Sequence, residues 1–189
     1  MRVSLAIVSL IAFTACRERA PDREQRQGSP AVSAPAPIDS TQWMVTEYGI
    51  GPIRAGMRVA TANAQIAGFS SPATADSSGC DYAVWKLAPH GVAIMVENGR
   101  IVRVDVREGV VATAAGATIG DTEARIHTLY ASRVITEPHR YEDAGHYLIV
   151  TPENPADSAF RLVFETDGKR VTRFRGGLRP AVQYVEGCG

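Results

Sequence analysis

Between Arg100 and Arg107 the chain reads RIVRVDVR, an alternation of apolar and polar positions with a period of two. An extended strand would set Val102, Val104 and Val106 on one side and Ile101, Arg103, Asp105 and Arg107 on the other. A second stretch, KRVTRFR, repeats the pattern with Arg173 and Arg175 outward and Phe174 inward. The same period predicts strands over Asp81–Leu87, Val92–Glu97 and Arg100–Arg107, then over Arg133–Pro138, His146–Thr151, Phe160–Thr166 and Arg170–Arg175, with a last piece at Ala181–Glu186. Asn98-Gly99 and Asp167-Gly168 fall between paired strands, and both dipeptides tolerate the positive φ of a tight hairpin turn.

Two shorter stretches carry a helical period instead. Val59, Ala62 and Ile66 share one helix face, and Ile126, Leu129 and Tyr130 share another. Asp121 is suited to cap the second helix, whereas Arg58 at the matching place is not. Each helix follows a glycine, so IRAGMRVATANAQIAGF around Gly56 aligns with ATIGDTEARIHTLYASR around Gly120. VENGRIVRVDV likewise aligns with ETDGKRVTRFRGG. The separation is 64 residues from Gly56 to Gly120 and 69 from Gly99 to Gly168, in the same order, which is the mark of an internal duplication. The expected fold is α+β: two tandem repeats of short helices plus antiparallel strands, forming one sheet covered by helices on one face and open on the other.

The glycines Gly49, Gly51 and Gly56 do not build a phosphate cradle, because they lack G-x-G-x-x-G spacing, a leading apolar strand and a Gly-Lys-Ser/Thr ending. They read as a tight turn in which Pro52 fixes the backbone.

Composition bounds the rest. The 189 residues are 45% hydrophobic and 21% charged, with twenty basic side chains against twenty acidic ones. Such a chain can bury one sizeable core and has no global field to attract nucleic acid. Residues 1–15 begin with Arg2, continue through an apolar run from Val3 to Thr14 and end in Ala15, the layout of an export signal too short to span a bilayer. FTAC, ending at Cys16, resembles the lipobox of bacterial lipoproteins, with Phe13 where Leu is usual. That resemblance implies lipidation at Cys16; a plain secreted chain is the alternative. Residues 16–42 are rich in Pro, Ala, Ser and charge and read as a disordered tether, leaving 43–189 as the folded domain. With Cys16 assigned to lipid, Cys80 and Cys188 remain, and in an oxidising compartment they are expected to pair, buried free thiols being the alternative.

The glycine-containing opening, short helix and strand block, repeated once in an exported chain, resemble the β-lactamase inhibitor protein-like fold. They are also similar to the single unit of the small outer-membrane assembly lipoproteins SmpA/OmlA. The resemblance implies that the open sheet face grips a partner. On that face, or near it, lie Trp85, Arg103, Arg107, Tyr141, Tyr147, Arg173 and Arg175, residue types enriched where proteins bind proteins. The expected partner is an envelope protein or an envelope polymer, met by a monomer held by its lipid at a membrane. Arg17 after Cys16, in place of an Asp, points to the outer membrane, facing the periplasm.

For chemistry, TEPHRYEDAGHYL gathers Glu137, His139, Glu142, Asp143 and His146. Histidines and carboxylates this close can bind zinc or move protons, and a small envelope hydrolase or metal-dependent enzyme centred on His139 and His146 is the alternative to a binding module. The spacing matches no compact metal motif, there is no G-x-S-x-G elbow, and no cysteine is left for catalysis. The expectation is therefore no enzyme, no metal and no cofactor. Inhibition of a β-lactamase is a third possibility that a direct assay decides.

Overall fold

The computed structural model describes residues 43–72 and 79–188. The export signal, Cys16 and the tether up to residue 42 lie outside the described residues. Eleven strands and two short helices follow one another: β1 (Val45–Thr46), β2 (Gly49–Ile50), β3 (Ile53–Arg54), α1 (Val59–Gln65), β4 (Phe69–Ser70), β5 (Cys80–Trp85), β6 (Val92–Glu97), β7 (Arg100–Val106), α2 (Glu123–Tyr130), β8 (Val134–Pro138), β9 (His146–Val150), β10 (Phe160–Thr166) and β11 (Val171–Leu178). The first three make a small antiparallel sheet, and the other eight form one antiparallel sheet in the order β4-β5-β6-β7-β11-β10-β9-β8.

That order reads the same outward from its centre. β7 and β11 pair with Phe174 opposite Val106 and Arg175 opposite Asp105, and on either side the three preceding strands of each half follow in turn. Each half thus supplies a helix and then four strands. The corner before each helix is tied in the same way. Gly56 donates its N–H to the Ile101 carbonyl at 2.7 Å, and Gly120 donates to the Val171 carbonyl at 2.8 Å. The Arg100 guanidinium donates to the Gly56 carbonyl at 2.9 Å, and that of Arg170 to the Gly120 carbonyl at 2.7 Å. Gly56 and Gly120 sit at φ +92° and +90°, a region that side-chain-bearing residues rarely adopt.

The main core lies on one face of the large sheet, built from Phe164, Phe174, Ile94, Ile101, Leu148 and Leu162 of the strands. Burying each such side chain stabilises the fold by about 1.5–3 kcal/mol. Helices supply only part of the cover. α1 has seven residues and α2 eight, so each is about 10–12 Å long against a sheet about 34 Å across. Val45, Ile50 and Ile53 of the small sheet, with Val111 and Ala117 of the loop after β7, complete the layer. The protein is therefore mostly β, and the expectation of a sheet roofed by helices is corrected to a roof shared by two short helices, a meander and a loop. The meander occupies the stretch read from sequence as a simple turn.

Three local expectations also change. Thr122, not Asp121, caps α2, its Oγ1 accepting from the Arg125 N–H at 3.2 Å, while Asp121 accepts from the Thr118 N–H at 2.8 Å. A register shift between Met95 and Val96 makes Val96 face Ile101, leaving Val102 as the extra residue of a bulge. Ile101 consequently enters the main core, and Val102 joins Met95 and Ala181 on the opposite face. Finally, Ala181–Gln183 is a 3₁₀ turn, not a strand.

Candidate functional site

The face opposite the main core is not fully open. After β11 the chain turns back and crosses it as a strap, ending at Cys188, which is bonded to Cys80 on β5 (S–S 2.01 Å). Val182 of the strap packs on Tyr147, Ile149 and Val163, and Ala181 on Met95 and Val102. Alternation then decides which polar side chains lie beneath it. Arg103 and Asp105 on β7, Arg175 on β11 and Glu165 on β10 share this face and are 3%, 7%, 3% and 2% exposed.

Charges this deep persist only when paired and hydrogen-bonded. Arg103 donates from Nε to Asp105 at 3.1 Å and from Nη1 to the carbonyls of Ala181 (2.9 Å) and Tyr184 (3.0 Å). Arg175 donates from Nε to the Val182 carbonyl at 2.6 Å and from Nη1 to Glu165. The buried arginines thus hold the strap by its main chain. The other Glu165 oxygen receives Arg173 Nε at 2.7 Å and faces His139 Nε2 at 3.5 Å. His139 Nδ1 accepts from the N–H groups of Tyr141 and Glu142, both at 3.1 Å, which assigns the ring proton to Nε2. The ring stacks on Tyr147 with centroids 4.5 Å apart.

Beside the strap this network opens into a cleft of about 500 Å³ lined by Arg103, Arg107, Arg173, Arg175, Tyr82, Tyr141, Glu165 and Glu186 among others. Tyr141 donates its hydroxyl to Glu186 of the strap at 2.6 Å, and that carboxylate pushes the Tyr141 hydroxyl above its ordinary pKa. The Arg107 guanidinium lies 4.8 Å over the Tyr82 ring. The Tyr82 hydroxyl is buried and has no hydrogen-bond partner among the described residues.

The residues expected to bind a partner therefore fall into three groups. Arg107, Tyr141 and Arg173 stand exposed at the cleft. Arg103, Tyr147 and Arg175 are buried beneath the strap and form its floor. Trp85 belongs to the opposite face: it is 6% exposed, stacks on Trp43 at 4.2 Å, and donates Nε1 to the Ala67 carbonyl at 3.3 Å. The open face is thus corrected to a face half covered, for a physical reason: guanidinium groups bind the strap's carbonyls more favourably than they leave them unpaired. Sequence reasoning missed Glu165, the hub of the network. The alternation in FRLVFET places Glu165 on the side away from Phe164 and Leu162, and that signal could have found it.

The histidine cluster divides between the two faces. His146 points to α2, where its Nδ1 lies 2.9 Å from Glu123 Oε1, while His139 lies on the strap side with Glu165 and Tyr147. Burial alone would raise the Glu123 pKa, but hydrogen bonds from Thr166 and His146 outweigh it and hold the carboxyl below its ordinary range. Glu137, Glu142 and Asp143 are exposed, and among the described residues no three His, Cys, Asp or Glu side chains converge as a metal centre. No described helix is long and apolar enough to cross a membrane.

Comparison with protein-family models, with curated proteins and with solved structures returns no match.

Proposed function

We propose that this chain is a cell-envelope lipoprotein, anchored through Cys16 to the outer membrane on its periplasmic side, whose domain binds another envelope protein through the cleft beside the strap. The observation that carries this reading is the cleft itself, in which Arg107, Arg173 and Tyr141 stand exposed above a floor of buried, fully paired charges. A rigid polar floor under arginine and tyrosine anchors is what a protein-binding surface needs, because little ordering remains to be done on association. The mirrored strand order supports a reading of two repeats, and the resemblance to the β-lactamase inhibitor protein-like fold adds to it the use of a sheet face to grip a partner.

No reaction is required. A hydrolase using both His139 and His146 would need their rings at one site, and they turn to opposite faces.

The test is a photo-crosslinking residue at position 141 in the native envelope, compared with one at Ala60 on the exposed side of α1. A protein captured from position 141 and not from position 60 is expected. A captured polymer, or equal capture from both positions, counts against the reading. Incorporation of labelled fatty acid, lost in Cys16→Ser, tests the anchor separately.

A further inference from the structure

We infer that the ligand of the cleft is a carboxylate carried on a partner's peptide, taken between Arg107 and Arg173; this rests on the binding-module reading above. The central ladder ends with Phe174 opposite Val106, and Arg173 and Arg107 are the next residues along the two chains. Both line the cleft. Like charges on neighbouring strands repel one another. Only one of them is offset from within the protein. Arg173 gives its Nε to Glu165 and lines the cleft with a side chain 54% exposed. Arg107 has no acidic partner among the described residues and rests on the Tyr82 ring. Two adjacent guanidinium groups with unused donors match the two oxygens of a carboxylate, which accept paired N–H bonds.

A second observation identifies the carrier as a peptide. The face already holds one: Arg103 and Arg175 bind the carbonyls of Ala181, Val182 and Tyr184, and Tyr141 binds the carboxylate of Glu186. The strap is thus a peptide main chain followed by an acidic side chain, seated on arginine and tyrosine donors. The cleft continues that surface past the strap with the same kinds of donor. Tyr82, whose buried hydroxyl has no partner among the described residues, lines it as well. A free inorganic anion would use the two arginines but none of the main-chain recognition.

The experiment titrates purified full-length protein with an acetylated oligoglutamate peptide, with oligoglutamine of equal length as control, and with inorganic phosphate as competitor. Oligoglutamate is expected to bind and oligoglutamine not. Arg107→Gln and Arg173→Gln should each weaken binding by about tenfold to a hundredfold, the span of one charge-assisted hydrogen-bonded pair. Arg54→Gln, an exposed arginine of the small sheet, should leave it unchanged. Raising the salt concentration should weaken binding in the unaltered protein. Equal binding of both peptides, an equal loss in Arg54→Gln, no loss in Arg107→Gln, or full displacement by phosphate at an equal concentration of carboxylate would overturn the inference. A crosslink from position 141 that survives the double change at Arg107 and Arg173 leaves the binding module standing and removes the carboxylate. Absence of any crosslink in the unaltered protein removes the module first.

Discussion

Glu165→Gln is the change that bears hardest on the strap face. The side chains of Glu165 and Arg175 are 2% and 4% exposed, and the substitution keeps the shape while deleting the negative charge. Arg175 is then left as a buried cation with the Val182 carbonyl and, at 6.0 Å, the Tyr147 ring as partners. Removing one member of a buried pair costs about 3–5 kcal/mol, and the retained amide oxygen argues for the lower end. Arg173, more than half exposed, adds at most about 1 kcal/mol because solvent screens it. A loss of about 3 kcal/mol corresponds to a fall of about 6–12 °C in the unfolding midpoint for a domain of this size. Urea unfolding followed by fluorescence measures it directly, since the chain's two tryptophans, Trp43 and Trp85, stack within the domain. Glu165→Leu combined with Arg175→Met should recover up to about 2 kcal/mol of the loss, the remainder being the cost of the orphaned Val182 carbonyl. A loss below about 1 kcal/mol in Glu165→Gln would refute the reasoning, because Glu165 would then not be the charge that compensates Arg175.

Gly56→Ala and Gly120→Ala should each cost about 1–2 kcal/mol, from backbone strain alone. A Cβ at Gly120 meets nothing within 4 Å and one at Gly56 only Leu178 at 3.7 Å, so unequal urea midpoints would contradict the equivalence of the two corners. Glu123 contributes stability that is present above its unfolded pKa, near 4.5, and lost as the pH falls through its lower folded value. Glu123→Gln should therefore flatten the fall in stability on the acid side of 4.5, as read from urea midpoints against pH, and an unchanged slope would count against the Thr166 and His146 contacts. Changing Cys80 and Cys188 together to Ser opens a bridge with a sequence separation of 108 and should cost about 4–5 kcal/mol by loop-closure entropy, measured by urea unfolding.

Much of the large sheet was legible because its signals are local. Val92–Glu97 and Phe160–Thr166 appear with the predicted bounds, and Asn98 and Gly99 take φ of +51° and +70° in the turn between β6 and β7. Gly56 and Gly120 marked the two corners because each needs a left-handed backbone, a requirement visible in one residue. The bulge at Val102 was not legible: it is a mismatch between two strands, and neither strand alone carries it. The meander over Val45–Arg54 was hidden for a similar reason, since strands of two residues are too short for any period to show.

The strap posed a different problem. Alternation assigns Arg103 and Arg175 to the face away from the core, but it does not say whether that face meets water. An arginine with solvent above it and an arginine under a peptide give the same pattern. What separates them is the full set of partners, and although Asp105 and Glu165 are near in sequence to Arg103 and Arg175, the Ala181 and Tyr184 carbonyls that Arg103 binds are 78 and 81 residues away from it. Two features of the sequence nonetheless imply a cover. Cys80 shares its side of β5 with Tyr82, away from Ala83 and Trp85, and Cys188 follows the end of β11 at Leu178. A bond between them obliges the chain leaving β11 to cross β7 and β6 on the outer face before it reaches β5. The arginines under that path bind its main chain, and those beyond it stay exposed at the cleft. Arg103 and Arg175 fall under the path and Arg107 and Arg173 beyond it, so one disulfide divides the four into a structural pair and a pair available to a ligand.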